Sequence, residues 1–478
     1  MKYSKLNNYI GGQTLEYTGP CIDLVSPSDG TILSEVPMST ANEVATAVAT
    51  ASAAFSEWSA LIPKERAQVF YRYRALLEQH MDEIAQIVHD ENGKTLPESR
   101  AEVVRAMEVT EFACSLPQLI GGEVLEVSRG VECRLERAPL GVVASICPFN
   151  FPIMVPHWTI PIALALGNSM IFKPSEHVPL SAQRVAELLT ESGLPDGVFN
   201  VVHGSRDAVE ALCDHPQIEA ITFVGSTPTA KAVYRRATSH LKRALALGGA
   251  KNHLVVLPDA NVEQTASNAL ASMAGCAGQR CMAAASMVGV GSIDPIIERL
   301  CQQAQAMVPG ETIGPVISAA AKERIEGFIA EAEAQGAKIL VDGRNVVVEG
   351  KEKGFYLGPT VIDHVHQDMR IAQEEVFGPV LCILRARDMD EAVKIENSSP
   401  YGNAAAVYTT NGGGAREFIE RASAGMIGIN VGVPVPLEPF GFGGWNDSKF
   451  GVGDITGKSS IEFWTQSKKI TSRWPDEK

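Results

Sequence analysis

Val142-Val143-Ala144-Ser145-Ile146 is a short run, apolar on nearly every side, and three more of its kind follow: Ser169 to Phe172, Val198 to Val202 and Ile218 to Val224. Runs without polar alternation read as strands covered on both faces. Between them lie segments of helical periodicity, Ser181 to Ser192 and Arg206 to Cys213 among them. Strand and helix in alternation predict a parallel sheet with helices on its faces. The alternation resumes after Asn252 with Leu254 to Leu257, Met287 to Val290, Thr360 to Ile362, Val380 to Leu384, Ala404 to Tyr408 and Met426 to Ile429. A second α/β unit is therefore expected, divided from the first near Gly248-Gly249-Ala250. No repeat, low-complexity tract or long linker separates the two, so they should pack closely. Residues 121 to 138 and 459 to 473 differ, mixing β-formers with charges and lacking helical partners. Both read as protruding strands that need pairing from another chain.

The 478 residues exceed what one hydrophobic core organises, which agrees with two or three units. Hydrophobic residues at 45% and charged residues at 20% match globular proteins and argue against a disordered chain. Lys and Arg number 41 against 56 Asp and Glu, a net charge of -15, which argues against nucleic acid as a partner. Residues 1 to 8 lack the apolar core of a signal peptide. The longest apolar region, Ile153 to Phe172, is interrupted by Pro156, His157, Pro161 and Asn168 and fails as a membrane span. Nine scattered cysteines, with no zinc-ligand spacing, fit a reduced cytoplasmic protein without a metal.

One of those cysteines stands apart. In Cys276-Ala277-Gly278-Gln279-Arg280-Cys281 a helical pattern over Thr265 to Met273 is broken by Gly275, Gly278 and Gln279, placing Cys281 on a loop. It reads either as a small core thiol or as a nucleophile whose thiolate forms more easily beside Arg280. Cys276, nearer the helix, reads as structural. Asn150 in Pro148-Phe149-Asn150-Phe151-Pro152 is a turn former by itself; beside a nucleophile its amide becomes an oxyanion donor, worth on the order of 10²–10³ in rate. Cys147 reads as packing. Lys173 and Glu176 follow a strand: they form a solvated charge pair, or they hold the ribose of a dinucleotide, with Glu176 favouring NAD over NADP. In Phe223-Val224-Gly225-Ser226-Thr227-Pro228, Gly225 and Ser226 make a plain capped turn or an anion-binding helix start. No G-x-G-x-x-G follows a strand, and Asn411-Gly412-Gly413-Gly414 only imitates a phosphate loop. Glu375 and Phe377, in Glu374-Glu375-Val376-Phe377-Gly378-Pro379, are an acidic loop or a ribose and nicotinamide contact.

These segments, in this order, resemble the aldehyde dehydrogenase superfamily over nearly the whole chain. The narrower resemblance is to its CoA-acylating methylmalonate- and malonate-semialdehyde dehydrogenases, carried by Pro148 to Pro152, Gly249-Ala250-Lys251-Asn252-His253, Gly278 to Ala283, Glu375 to Pro379 and Ile470-Thr471-Ser472-Arg473-Trp474. The resemblance implies an α/β fold of two Rossmann-like parallel-sheet domains plus a β-strand oligomerisation arm. The NAD-binding domain would take residues 1–120 and 139–249, the catalytic domain 250–455, and the arm 121–138 and 456–478. It implies that Cys281 attacks the aldehyde while Asn150 and the Cys281 N–H hold the oxyanion. Phe149, Lys173, Glu176, Gly225, Ser226, Glu375 and Phe377 would bind NAD, and Arg105 and Arg280 would bind a substrate carboxylate. From the helical period alone Arg105 lies about 200° from Val103, on a solvent-facing side. Hydrolytic members carry a glutamate four residues before the lysine that aligns with Lys251; here that residue is Leu247. General-base help is worth roughly 10²–10⁴, so water becomes a poor acceptor and coenzyme A, a thiol ionised partly at neutral pH, the favoured one. The family's dimers and tetramers imply a homo-oligomer. Ala230 replaces a glycine common in the superfamily, and the segment around Val308 to Thr312 is short. Two rivals stand beside this reading: the same fold releasing a carboxylic acid to water, and a catalytically silent nucleotide-binding or structural protein.

Overall fold

The computed structural model describes residues 1–475. Its first sheet runs, in spatial order, Gln13–Leu15, Asn8–Ile10, Phe199–Val201, Ser169–Lys173, Val142–Ile146, Ile218–Val224, Arg243–Leu247 and Lys449–Phe450. The five central strands are parallel and the flanking ones antiparallel. Val142–Ile146 is buried at all five positions, as a strand covered on both faces requires. Val143 enters one core, with Met170 and Phe172, while Val142, Ala144 and Ile146 enter the other, against Val44 and Val48 of helix Ala41–Ala60. The strand order steps one way from Val142–Ile146 to Ser169–Lys173 and the other way to Ile218–Val224, so the direction reverses between the first and last of these. In an open α/β sheet the crevice at such a reversal, beyond the carboxyl ends of the strands, is where a ligand lodges.

The second sheet runs Lys338–Val341, Thr360–Asp363, Val380–Ala386, Ala284–Val290, Asn252–Val256, Ala404–Tyr408 and Met426–Ile429, parallel except at its first edge. Its own core takes residues from Leu254 to Ala424, matching the second α/β unit read from the sequence. Met282, Ala404, Met426 and Phe442 belong instead to the first core, so the two units share packed surface.

Helix Leu96–Leu119 opens with a capping box between Thr95 and Glu98 and a proline in its first turn. Glu98, Glu102 and Arg105 follow one another at spacings of four and three, which places them along one side of it.

The expectation of a strand across 459 to 473 is corrected at its start. Gly457–Phe463 is helical, with Ser460, Ile461, Phe463 and Trp464 buried, and the strand is Thr465–Ser472. Ile461, Phe463 and Trp464 find core only when the chain coils; the polar residues beyond them do not. Thr465–Ser472 lies antiparallel to Val131–Pro139, which pairs in turn with Val124–Ser128. The protruding strands thus pair with one another first, leaving two open edges and exposed Val124, Leu125 and Val127. The last three residues of the arm expected over 456–478 lie outside the described ones. Among the described residues no helix is long and apolar enough to cross a membrane.

Candidate active site

At the reversal point the Val142–Ile146 strand runs into Cys147-Pro148-Phe149-Asn150, and Ile218–Val224 into Gly225. A cavity of about 950 Å³ opens there, lined among others by Ile146, Phe149, Lys173, Glu176, Phe223 and Gly225. Lys173 is buried at the end of its strand with Nζ 3.3 Å from Glu176 Oε2. Burial lowers the Lys173 ammonium from its ordinary value; burial works against the Glu176 charge too, but Lys173 holds that carboxylate below its usual range. The two are thus not a solvated pair. A Cβ at position 225 would lie 2.6 Å from the tip of the Phe223 ring, so any larger residue there would have to displace that ring. Ser226 precedes helix Thr227–Ser239, whose Thr227 Oγ1 accepts from the Gly249 N–H at 2.8 Å. Cys147 is buried and its thiol pushed up to about 12 by burial, as packing implies.

Cys281 sits beyond this cavity. Helix Val262–Ala274 ends at Gly275, and Cys276, Ala277 and Gly278 follow with φ of 53°, 52° and 70°. Three left-handed residues in succession turn the chain back on itself. A side chain at Gly278 would put its Cβ 2.1 Å from the Gly378 carbonyl oxygen, so the loop carrying Cys281 packs backbone to backbone on the loop carrying Glu375 and Phe377. Asn252 Nδ2 donates to the carbonyls of Cys281 and Ala283 at 2.8 and 3.0 Å, and its Oδ1 accepts from the Ala404 N–H. Asn252, Arg280, Cys281, Glu375 and Phe377 line the narrow cleft between the loops. Phe377 meets Phe149 edge to face at 5.8 Å, joining the cleft to the wall of the large cavity. Glu375 Oε1 accepts from the Ala250 N–H at 3.0 Å; burial pushes this carboxyl up to about 7, against that N–H, Lys251 and Arg324.

Burial, and then the Glu375 charge, push the Cys281 thiol up to about 12. Arg280 opposes this least among the groups acting on it. Its guanidinium turns elsewhere: Nε donates to Cys276 Sγ at 3.3 Å and Nη2 lies 3.9 Å from Glu98 Oε1. Easier thiolate formation beside Arg280, expected from adjacency in sequence, is therefore not what this arrangement provides. Cys276 is buried, in line with a structural thiol.

Asn150 is buried, and its Nδ2 donates to the Gln279 carbonyl at 2.9 Å, two residues before Cys281. Arg105 is half-buried, bound to Glu108 and 3.8 Å from Glu438 Oε2, on the wall of a separate 540 Å³ cavity shared with Leu437 and Pro439. Arg105 thus lies on the helix whose Glu98 is approached by Arg280, and each arginine already faces a carboxylate of the chain itself. The Asn411 side chain accepts from the Gly413 N–H at 2.7 Å and so caps its own helix, which removes the imitation phosphate loop.

Several site neighbours escaped the sequence reading. Asn92 Nδ2 donates to the Phe149 carbonyl at 2.8 Å, Lys94 Nζ to the Asn150 carbonyl at 2.6 Å, and Glu98 Oε1 accepts from the Cys276 N–H at 2.6 Å. Glu102 Oε1 accepts from the Ile153 and Met154 N–H groups at 2.7 and 3.0 Å. The local signals near them were Gly93, a left-handed helix terminator, and the Thr95–Glu98 capping box that opens the next helix. Among the described residues no group of three His, Cys, Asp or Glu is placed to hold a metal.

Residues 15–470 match the model of the aldehyde dehydrogenase family. The malonate-semialdehyde dehydrogenase 1 of Geobacillus kaustophilus is 44% identical over 477 residues, 98% of each chain. That of Halalkalibacterium halodurans is 43% identical over 479 residues, again 98% of each. Among solved structures, the methylmalonate-semialdehyde dehydrogenase of Oceanimonas doudoroffii superposes with a TM-score of 0.98 at 40% identity, covering 99% of both chains. A Sinorhizobium meliloti protein assigned to the same activity and solved with NAD superposes with a TM-score of 0.98 at 41% identity, covering 100% of this chain and 99% of its own.

Proposed function

The chain belongs to the aldehyde dehydrogenase family, and on that footing we propose that it oxidises malonate or methylmalonate semialdehyde with NAD and passes the acyl group to coenzyme A. The observation that carries the reading is the meeting of Asn150 and the Cys281 loop, next along the chain to Phe149 on the wall of a cavity large enough for a dinucleotide. A cavity of this size, with a buried lysine beside a carboxylate at its strand ends and a helix start on its wall, fits NAD. Lys173 and Glu176 would hold one ribose, Glu375 the other, Phe149 and Phe377 would flank the nicotinamide, and Gly225 and Ser226 would border the phosphates. Bound there, NAD supplies a hydride acceptor.

The Cys281 thiol gives up its proton to solvent water, and its sulfur bonds to the aldehyde carbon as the carbonyl π pair moves to oxygen. The resulting oxyanion takes hydrogen bonds from the second N–H of the Asn150 amide and from the Cys281 N–H. Hydride departure from that carbon leaves an acyl thioester on Cys281. A carboxylate in the β position then leaves as CO₂, and the enolate takes a proton, giving an acetyl or propionyl thioester. The thiolate of coenzyme A attacks the carbonyl and Cys281 leaves. Leu247, buried at the end of Arg243–Leu247, offers no base to a water, whereas a thiol ionises unaided. Arg280 and Arg105 would bind the substrate carboxylate through their planar forks once their internal partners, Glu98, Glu108 and Glu438, give way.

We divide the chain functionally at 1–120 and 139–249 for NAD, 250–455 for catalysis, and 121–138 with the Thr465–Ser472 strand for assembly of a homo-oligomer through the open edges of the small sheet. The catalytic reading is tested by following NADH from a panel of short semialdehydes with and without coenzyme A. Sustained turnover only with coenzyme A, and only for carboxylated substrates, supports it; equal turnover into water supports the hydrolytic rival, and no NADH at all the silent one.

A further inference from the structure

Helix Met81–Asn92 stops at Gly93, whose φ of 85° turns the chain toward helix Leu96–Leu119. In the connection the Lys94 side chain is 2% exposed and points into the protein, where its ammonium meets three groups: the Asn150 carbonyl at 2.6 Å, the Glu102 carboxylate, and the Phe151 ring with its centroid 3.8 Å away. The other Glu102 oxygen binds the N–H groups of Ile153 and Met154, and Asn92 binds the Phe149 carbonyl. One neighbouring segment therefore grips the irregular main chain at 149 and 150 and caps the start of the short helix Met154–His157 at 153 and 154. A buried ion pair is a poor means of gaining stability, since desolvation offsets its attraction. Its effect here is geometric.

We propose that Lys94, backed by Glu102 and Asn92, is a positioning residue that sets the Asn150 amide for the oxyanion. The proposal rests on the reading of Asn150 given above. Two anchors from different parts of the chain define that amide: Lys94 fixes its main chain and the Gln279 carbonyl orients its Nδ2. Without the first, the side chain hangs from a mobile backbone, and a displacement of about 1 Å costs about 10² in rate where reacting groups must align. Lys94 touches no reacting atom, so its whole effect passes through Asn150.

That last property gives the test. Single-turnover NADH formation with a semialdehyde is measured for the full-length protein, Lys94→Met, Asn150→Ala and the double variant, with NAD affinity measured alongside. Lys94→Met is expected to slow the hydride burst about 10–100-fold at unchanged NAD affinity, and to have no more than about a twofold effect once Asn150 is alanine. Lys94→Arg, which keeps a charged donor, recovers part of the rate. A burst within about twofold of the unsubstituted protein, or an equal loss in both backgrounds, overturns the proposal, because a merely structural lysine gives additive losses. If Lys94→Met does not fold, Asn92→Ala, which strands no buried charge, takes its place in the same cycle under the same criteria. Absence of any burst from the unsubstituted protein would count against the functional reading instead.

Discussion

The Cys281 thiol of the cofactor-free protein should be almost unreactive. Its position at about 12, set by burial and then by Glu375, leaves about one molecule in 10⁴ as thiolate at pH 8. A free cysteine near 8.5 is ionised to roughly one part in four there. Alkylation by iodoacetamide, read as the mass of the peptide containing position 281, should therefore run about 10³-fold slower than that of free cysteine at the same pH. Glu375→Gln removes the second of the two causes and should speed labelling about tenfold or more, since an opposing charge in a half-buried site is worth a few kcal/mol. On the proposed reading, in which Glu375 would hold a ribose, saturating NAD should act in the same direction. Labelling of unliganded Cys281 within tenfold of free cysteine, or no response to Glu375→Gln, would refute this account of the nucleophile's environment.

Asn150→Ala should lower the hydride burst by roughly 10²–10³ with NAD binding unchanged, as measured by rapid-mixing absorbance and by titration. Arg105→Met should raise KM for a carboxylated semialdehyde about 10-fold or more while leaving propanal unaffected, the loss expected of a charged hydrogen bond worth about 1.5–3 kcal/mol. Glu375 also makes stability depend on pH. Its folded-state value, about 7, lies above the ordinary 4.5, so the folded chain binds the extra proton: the benefit is full below 4.5, fades between 4.5 and 7, and is gone above. Glu375→Gln should thus melt like the unsubstituted protein near pH 4.5 and be more stable by about 1–3 kcal/mol at pH 8, and a gap that shrinks with rising pH would contradict the assignment.

Most of the fold was legible because parallel strands buried on both faces announce themselves: Val142–Ile146 and Ala404–Tyr408 stand where continuous apolar runs placed them. The tail was misread because Ile461, Phe463 and Trp464 sit among β-formers and the packing that coils them comes from distant residues. The loops carrying Cys281 and Asn150 were legible through their punctuation and residue types, and the structure brings the two loops together. Lys94 and Glu102 were not, since a charge with a buried partner looks in sequence like any solvated one. Arg280 misled for a related reason: adjacency along the chain says nothing about direction, and its guanidinium reaches Cys276.

The central claim is a transient acyl bond on one sulfur, released by a thiol. Intact and peptide mass spectrometry after mixing the protein with semialdehyde and NAD in the absence of coenzyme A tests it most directly. The account predicts an acetyl or propionyl adduct on Cys281 that disappears when coenzyme A is added. NADH formation with no adduct at position 281, or an adduct that water clears as fast as coenzyme A does, would contradict it.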